Sequence, residues 1–211
     1  MRIAPEGKII IQPLTVITFL SVGYEMMTNG SFIISIILTT VILFCINFFR
    51  DPIRNLPDEK NIIVSPADGK VVKISELNDP IVGDARQVSI FLNVFNVHAN
   101  RMPIAGTFSD VRYHSGKFLA AFDHKASNEN ERTEIVLTSD AGTIIVKQIA
   151  GLIARRILCY AKSGKSMDMG DRLGFIRFGS RTDIIIPKTV NLNVELNQKV
   201  KGNHTIIGSY Q

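Results

Sequence analysis

A glycine and a serine stand side by side in "RFGSRTDIII" (residues 177–186), between two runs whose apolar residues alternate as in strands. The pair fits neither the Asn-Gly type of hairpin turn nor the Gly-x-Ser-x-Gly elbow of hydrolases. A serine hydroxyl is a weak nucleophile until a base takes its proton, and glycine leaves its own carbonyl open to close approach. Attack of Ser180 on the carbonyl of Gly179 would turn the amide into an ester by an N-to-O acyl shift. β-Elimination of that ester would leave dehydroalanine, and hydrolysis would then release ammonia and a pyruvoyl group. Such a step needs a base near Ser180 and donors for the oxyanion.

Asp68 and a histidine are the residues that could serve. Asp68 lies in "SPADGKV" (residues 65–71), which taken alone reads as a type I turn whose aspartate bonds nearby amides. His98 follows a strand-like run in "FLNVFNVHANRMPIAG" and precedes Asn100, Arg101 and Pro103; a histidine there is either a satisfied structural residue or a catalyst. His114 and His124 stand near or within polar, turn-rich stretches, and His204 lies close to the C-terminus. No two of these have the spacing of a zinc helix, and Cys45 and Cys159 cannot form a cysteine cluster, so no metal site is expected. Gly170, Gly174 and Gly179 in "GDRLGFIRFG" lack the following helix that a phosphate loop requires.

The elements that must position these residues fall into two parts. In residues 1–50, "IIIQPLTVITFLSVGYEMM" (9–27) and "SFIISIILTTVILFCINFF" (31–49) are separated by "TNG". They predict an apolar helical hairpin associated with a membrane, the second helix long enough to span and the first interrupted by Gln12, Pro13 and Glu25. Arg2 and Lys8 then share a side with Arg50 and Arg54, which the positive-inside rule makes cytoplasmic. Residues 51–211 alternate mostly with period two in short runs: "NIIV", "KVVKI", "RQVSIFLNVF", "TEIVLTS", "TIIVKQIA", "LGFIRF", "DIIIP" and "VNLNVEL". "GLIARRILCY" (151–160) is the clearest helix candidate of this part. The fold class expected is α+β and β-rich, a compact sandwich- or barrel-like soluble domain with short helices behind an N-terminal apolar hairpin.

The chain has 211 residues, a formal net charge of +5 and no tryptophan. It shows no basic stripe interleaved with aromatics, so nucleic acid is not expected as a partner and an anionic membrane surface is. Two distant cysteines, one in an apolar run, suit a reducing compartment.

Several stretches, taken in order, resemble the short form of the phosphatidylserine decarboxylase proenzyme family. They are "FFRDPIRNLP" (48–57), "SPADGKV" (65–71), "NVFNVHANRMPIAG" (93–106), "NERTEIVL" (130–137), "QIAGLIARRI" (148–157) and "GDRLGFIRFGSRTDIIIP" (170–187). The resemblance implies self-cleavage between Gly179 and Ser180 into a β chain (1–179) and an α chain (180–211). These form an α/β heterodimer from one chain, open to higher assembly. It further implies a pyruvoyl group made from Ser180 that takes the amine of phosphatidylserine as a Schiff base. Its conjugated carbonyl accepts electrons as CO2 departs, and phosphatidylethanolamine is released at the inner membrane, with the catalytic domain on the cytoplasmic face. His98 is implied as proton donor or carboxylate-orienting group and Asp68 as the acidic residue of self-cleavage. Longer members carry a second histidine where this chain has Arg101. Either His98 serves both steps, which is favoured, or another residue such as His114 enters the site. Arg50, Arg54 and Lys60 are basic residues expected beside the membrane. An archaetidylserine-like substrate would need the same headgroup chemistry. A non-enzymatic adaptor of lipoyl-like type would need a modifiable lysine at a hairpin tip, for which Lys70 and Lys165 are poorly matched.

Overall fold

The computed structural model describes residues 2–117, 129–151, 156–177 and 179–211. The chain divides into two compact units, Met1–Ile53 and Arg54–Gln211.

In the first unit, a two-residue strand β1 (Arg2–Ile3) leads into α1 (Pro5–Thr28), and α2 (Ile33–Phe48) is followed by β2 (Arg50–Asp51), which pairs back on β1. Proline is well tolerated at the start of α1, where its missing N–H has no intrahelical partner to lose. Asn29 ends α1 in the left-handed region at φ 51°, its N–H returning to the carbonyl of Glu25. At the open end of the hairpin, a Cβ on Gly7 would lie 2.5 Å from the Cβ of Phe49, so only glycine permits this approach.

The relative lengths of the two helices reverse the sequence expectation. α1 runs unbroken for 24 residues, straight through Gln12, Pro13 and Glu25, and it alone among the described helices is long and apolar enough to cross a membrane. Glu25 does not interrupt it because α2 satisfies the carboxylate. The Ser35 hydroxyl donates to Glu25 Oε2, the Ser35 N–H reaches Oε1 at 3.4 Å and the Ser21 hydroxyl reaches Oε1 at 3.3 Å. α2 spans 16 residues, about 24 Å at 1.5 Å per residue and short of a ~30 Å hydrocarbon core. Ile9, Phe19, Leu20 and Met27 on α1 and Ile33 and Ile36 on α2 are exposed. That much apolar surface suits association with a membrane.

The second unit contains β3 (Ile62–Val64), β4 (Gly69–Asp79), β5 (Gly83–Leu92), β6 (Ala99–Arg101), β7 (Gly106–His114), β8 (Arg132–Ser139) and β9 (Gly142–Ala150). These are followed by β10 (Ile157–Cys159), β11 (Ser166–Met167), β12 (Arg172–Ile176), β13 (Ser180–Pro187), β14 (Asn191–Leu192), β15 (Lys199–Val200) and β16 (Ile206–Ser209). The main sheet is antiparallel in the order β11-β7-β8-β9-β13-β5-β4-β15, and two three-stranded sheets, β10-β12-β6 and β14-β16-β3, accompany it. One apolar cluster joins all three sheets: Val88, Leu92, Phe108, Leu137, Val146, Ile184 and Ile186 of the large sheet meet Leu173 of β12, Ile63 of β3 and Ile207 of β16. The protein is α+β and β-rich.

β13 is the best-held strand, paired over Ser180–Pro187 with β5 and over Ser180–Ile185 with β9. Its even-numbered isoleucines enter the main core, and Ile185 packs on the other face with Ala85, Val136 and Ile145. Such alternation follows from the two-residue period of a strand buried on both faces.

Two local expectations differ from what forms, and one strand was not expected at all. Of the helix expected over 151–160, residues 152–155 lie outside the described residues and Ile157–Cys159 is a strand, paired with Gly174–Ile176 of β12. Backbone pairing to an available strand edge overrides a helical spacing of four apolar residues. "VNLNVEL" pairs only at Asn191–Leu192, because the Asn193 N–H turns to the carbonyl of Ile207 and a turn closes over Glu195–Gln198. β7 has no apolar alternation to announce it: of its nine residues only Phe108 is buried.

Glu134 of β8 receives Arg132 Nε at 2.9 Å and Lys147 Nζ at 3.0 Å. Burial pushes its carboxyl pKa up, but these two cations outweigh burial and hold it below the usual carboxylate value. A depressed folded-state pKa stabilises the protein at and above the unfolded value, and that stability is lost as pH falls through the folded one. Acid unfolding of Glu134→Gln is therefore expected to be less steep below about pH 4.5 than that of the parent. Thermal midpoints measured across pH 3–6 would check this.

Candidate active site

Ser180 is the first residue of β13, opposite Leu92 of β5 and Ala150 of β9. It is fully buried, and its Oγ has no hydrogen-bond partner among the described residues. A buried hydroxyl without a partner costs about 1–3 kcal/mol. Gly179 before it sits at φ +68°, while a Cβ there would meet nothing within 4 Å. Glycine is required at 179 by backbone conformation rather than by space. Gly179→Ala is thus expected to lower stability by about 1–2 kcal/mol through left-handed strain alone, as a modest fall in unfolding midpoint would report.

Register places His98 in the same layer. β6 and β12 pair Asn100 with Gly174, and the Ile176 N–H donates to the carbonyl of His98 at 3.3 Å. Ile176 packs on Ala150, the residue opposite Ser180. His98, Ile176, Ala150 and Ser180 therefore form one row across the two sheets. The next row is polar and fully buried. Gln148 Nε2 donates to Asn100 Oδ1 at 2.8 Å, and Asn100 Nδ2 donates to Thr182 Oγ1 at 3.1 Å. Only glycine fits at 174 in this row, since a Cβ would lie 2.1 Å from the carbonyl oxygen of Leu158 and 2.5 Å from Gln148 Nε2.

The loop before His98 is tied by its own asparagines. The Asn93 N–H reaches Asn96 Oδ1 and the Phe95 N–H reaches Asn93 Oδ1, both at 2.9 Å. His98 is fully buried, with Nδ1 2.9 Å from the carbonyl of Asn96. A carbonyl only accepts, so Nδ1 carries the hydrogen and a neutral ring keeps its lone pair on Nε2.

Asp68 has two partners in the turn ahead of β4. Arg54 grips it with both terminal nitrogens, Nη2 to Oδ2 at 2.8 Å and Nη1 to Oδ1, and the Gly202 N–H donates to Oδ1 at 2.9 Å. Arg54, one of the basic residues expected beside the membrane, is the counter-ion of Asp68. β4 pairs Lys70 with Phe91, so Asp68 lies at the same end of the sheet as Ser180 but two strands away, about 10 Å at ~4.8 Å per strand. The Arg101 N–H donates to the carbonyl of Pro66 at 2.8 Å, tying this turn to β6. Arg50 donates to Asn47 Oδ1 at 2.9 Å and to the Asn47 carbonyl at 2.6 Å.

His114 ends β7 in a row with Arg132, Ile149 and Arg181. It stands three strands from β13 on the opposite face from Ser180, with Nε2 3.7 Å from Glu134. That opposite face of β13 holds a separate buried network. Arg181 Nε reaches Asp183 Oδ1 at 2.6 Å, Arg181 Nη2 donates to Ser89 Oγ at 2.6 Å, and Gln87 Nε2 donates to Asp183 Oδ2 at 2.8 Å. His124 lies outside the described residues.

Sequence reasoning missed Asn100, Gln148, Thr182 and Asn130. Asn130 is fully buried and donates to the carbonyl of Ala150 at 2.7 Å. All four stand inside the motif blocks quoted above, but their immediate neighbours, such as Glu129 and Glu131 around Asn130 or Arg181 and Asp183 around Thr182, do not mark them as buried.

Residues 41–208 match the family model described as phosphatidylserine decarboxylase. Proteins named phosphatidylserine decarboxylase proenzyme are similar along most of the chain. The one from Chlorobaculum tepidum is 39% identical over 99% of this chain and 98% of its own length. Those from Ralstonia nicotianae and Solidesulfovibrio magneticus are 48% and 51% identical, each over 78% of both chains. The rows built around Gly179, Ser180 and His98 thus lie within the matched region, and the chain belongs to the phosphatidylserine decarboxylase family of enzymes.

Proposed function

We propose that the chain is made as a proenzyme and cuts itself between Gly179 and Ser180 into a β chain (1–179) and an α chain (180–211). The cut protein decarboxylates phosphatidylserine to phosphatidylethanolamine and CO2, using a pyruvoyl group derived from Ser180. The observation that carries this reading is the Ser180 hydroxyl, buried without a partner among the described residues directly after a left-handed glycine. Conversion of Ser180 to a ketone removes the hydroxyl proton that lacks an acceptor and adds no bulk, so the site fits the group. A carbonyl at this place would supply the sink for the electrons of a departing carboxylate.

The chain's own residues have these parts in the proposal. His98 Nε2, the lone-pair nitrogen of a ring fixed by Asn96, takes the Ser180 proton during the cut and later returns a proton to the product carbon. Asp68 is the acidic member of the self-cleavage set, acting from a turn that Arg54, Gly202 and Arg101 hold at the sheet end. Arg101 fixes the spacing between that turn and β6. Leu92, Ala150 and Ile176, all fully buried, exclude bulk water from Ser180. Asn130 holds the carbonyl of Ala150 and so the end of β9 against which Ser180 lies.

The substrate is a bilayer lipid, and the apolar hairpin would keep the catalytic unit at the headgroup layer. The β1–β2 pairing brings the two ends of the hairpin together, so Arg2 and Arg50 share a side. By the positive-inside rule this is the cytoplasmic one.

Intact-mass measurement of the purified protein tests the reading. The expected result is a C-terminal fragment beginning at residue 180, lighter than its encoded mass because amine has become ketone, together with CO2 release from phosphatidylserine. A single uncut chain of 23.4 kDa that is active would overturn it.

A further inference from the structure

Arg177 stands three residues ahead of Ser180, just past the end of β12, with its backbone N–H on the carbonyl of Arg156 at 3.3 Å. Its side chain is half-buried, and its Nε is enclosed with no hydrogen-bond partner among the described residues. Other arginines of this unit are committed. Arg54 holds Asp68, Arg132 holds Glu134 and Arg181 holds Asp183, while the Arg172 guanidinium lies 5.9 Å from the Tyr160 ring and 5.7 Å from the Phe175 ring. An enclosed guanidinium N–H without an acceptor is costly, and the uncut chain offers none among the described residues.

The cut itself creates one. Ser180 Oγ forms a bond to the Gly179 carbonyl carbon as the C–N bond breaks, giving the ester and freeing the Ser180 amine. A base then removes the Cα proton of Ser180 and the Cβ–Oγ bond breaks. Its electron pair leaves on Oγ, which becomes one oxygen of the Gly179 carboxylate. Water finally replaces the nitrogen, releasing ammonia. A full negative charge therefore appears two residues from Arg177, a stretch of chain that spans at most ~7 Å. Gly179 has open space where a Cβ would be, so its carboxylate has room to turn.

We propose that Arg177 is the counter-ion of this leaving carboxylate. It stabilises the charge that develops on Gly179 as the ester breaks, and it holds the new C-terminus of the β chain afterwards. The proposal rests on the self-cleavage reading above and concerns its second step alone.

The test uses the full chain with Arg177→Gln and Arg177→Lys, each treated with neutral hydroxylamine and read by intact mass. Hydroxylamine splits an ester to give a Gly179 hydroxamate and an α chain that still begins with a serine amine. The expected result for Arg177→Gln is accumulation of this hydroxylamine-sensitive ester, with elimination slowed on the order of a hundredfold, the scale of losing one oxyanion donor. Arg177→Lys, which keeps the charge, is expected to recover most of the rate, and unchanged unfolding midpoints would exclude a merely structural effect. Maturation of Arg177→Gln at the parent rate would overturn the proposal. If that variant needed more phosphatidylserine to half-saturate, the arginine would belong to the substrate's anionic headgroup instead. A folded Arg177→Gln that forms no ester would also overturn it, by placing the residue at the first step. Failure of the parent chain to yield an α chain would sink the self-cleavage reading itself.

Discussion

Ser180→Ala is expected to remain a single chain of 23.4 kDa without decarboxylase activity. The loss is on the order of 10⁶-fold, the scale seen when a nucleophile acting as part of a unit is removed. The variant should fold. Ser180 lies between Leu92 and Ala150 in a paired strand, and its hydroxyl has no partner among the described residues to lose. Its unfolding midpoint should match or slightly exceed that of an uncut parent. Ser180→Cys separates nucleophile from packing, because a thiol also attacks, eliminates and leaves the same dehydroalanine. Slow but detectable cutting is expected from it. Activity retained by Ser180→Ala would mean that the ketone is not made from this residue.

Asp183→Ala is expected to give the largest loss of stability of any single change in the catalytic unit. Arg181 and Asp183 are both fully buried and bonded to each other. Removing the carboxylate takes the 2.6 Å ion-pair partner from a buried guanidinium, and strips Gln87 Nε2 of its 2.8 Å acceptor. Breaking such a pair costs about 3–5 kcal/mol, a large part of a typical total of about 5–15 kcal/mol. For a unit of this size the unfolding midpoint should fall by on the order of 10 °C. Thermal unfolding of the detergent-solubilised protein would measure it. Joint replacement, Arg181→Met with Asp183→Leu, should restore most of the loss, because two packed apolar side chains avoid the desolvation cost of two charges. If Asp183→Ala unfolds at the parent midpoint, the network contributes nothing to stability. These residues face away from Ser180, so rescue of stability by the double variant should be accompanied by rescue of cutting.

The parts of the fold that were legible in the sequence are those carried by apolar runs. The helical hairpin shows as two long apolar runs, and β4, β5, β8, β9 and β13 show as short apolar runs bounded by turn residues, a pattern that survives in one dimension. β7 was not legible because an edge-side strand with one buried residue has no such run. The Ile157–Cys159 strand was misread because four apolar residues in ten fit a helix as well as they fit a strand, and only the partner β12 decides between them. At the candidate site, the Gly-Ser pair and the "SPADG" turn were legible through the ordered series of motif blocks that resembles the family, since each by itself is an ordinary stretch of sequence. Their partners were not. That Arg54 would seize Asp68, 14 residues on, and that Gly202 would complete the grip from the far end of the chain, depends on closure of the whole unit. The row Gln148, Asn100, Thr182 likewise unites three separate strands, and none of these residues is unusual where it stands in the sequence.

β13 begins at the proposed cut and is gripped on both sides along its length. Once the peptide link is gone, the two pieces stay together through non-covalent contacts alone: β13 with β5 and β9, β15 with β4, β16 with β3, and the packing of Ile184, Ile186 and Ile207. A whole chain that unfolds always has its missing strand attached, at a fixed effective concentration. A cut one loses its strand to dilution, so refolding becomes a second-order encounter that a dilute solution does not support. Maturation would thus exchange reversible folding for kinetic persistence: the mature enzyme would last as long as its first folded state lasts. Its lifetime would depend on how rarely β13 slips free, and a molecule that once lost the strand would have to be replaced rather than repaired.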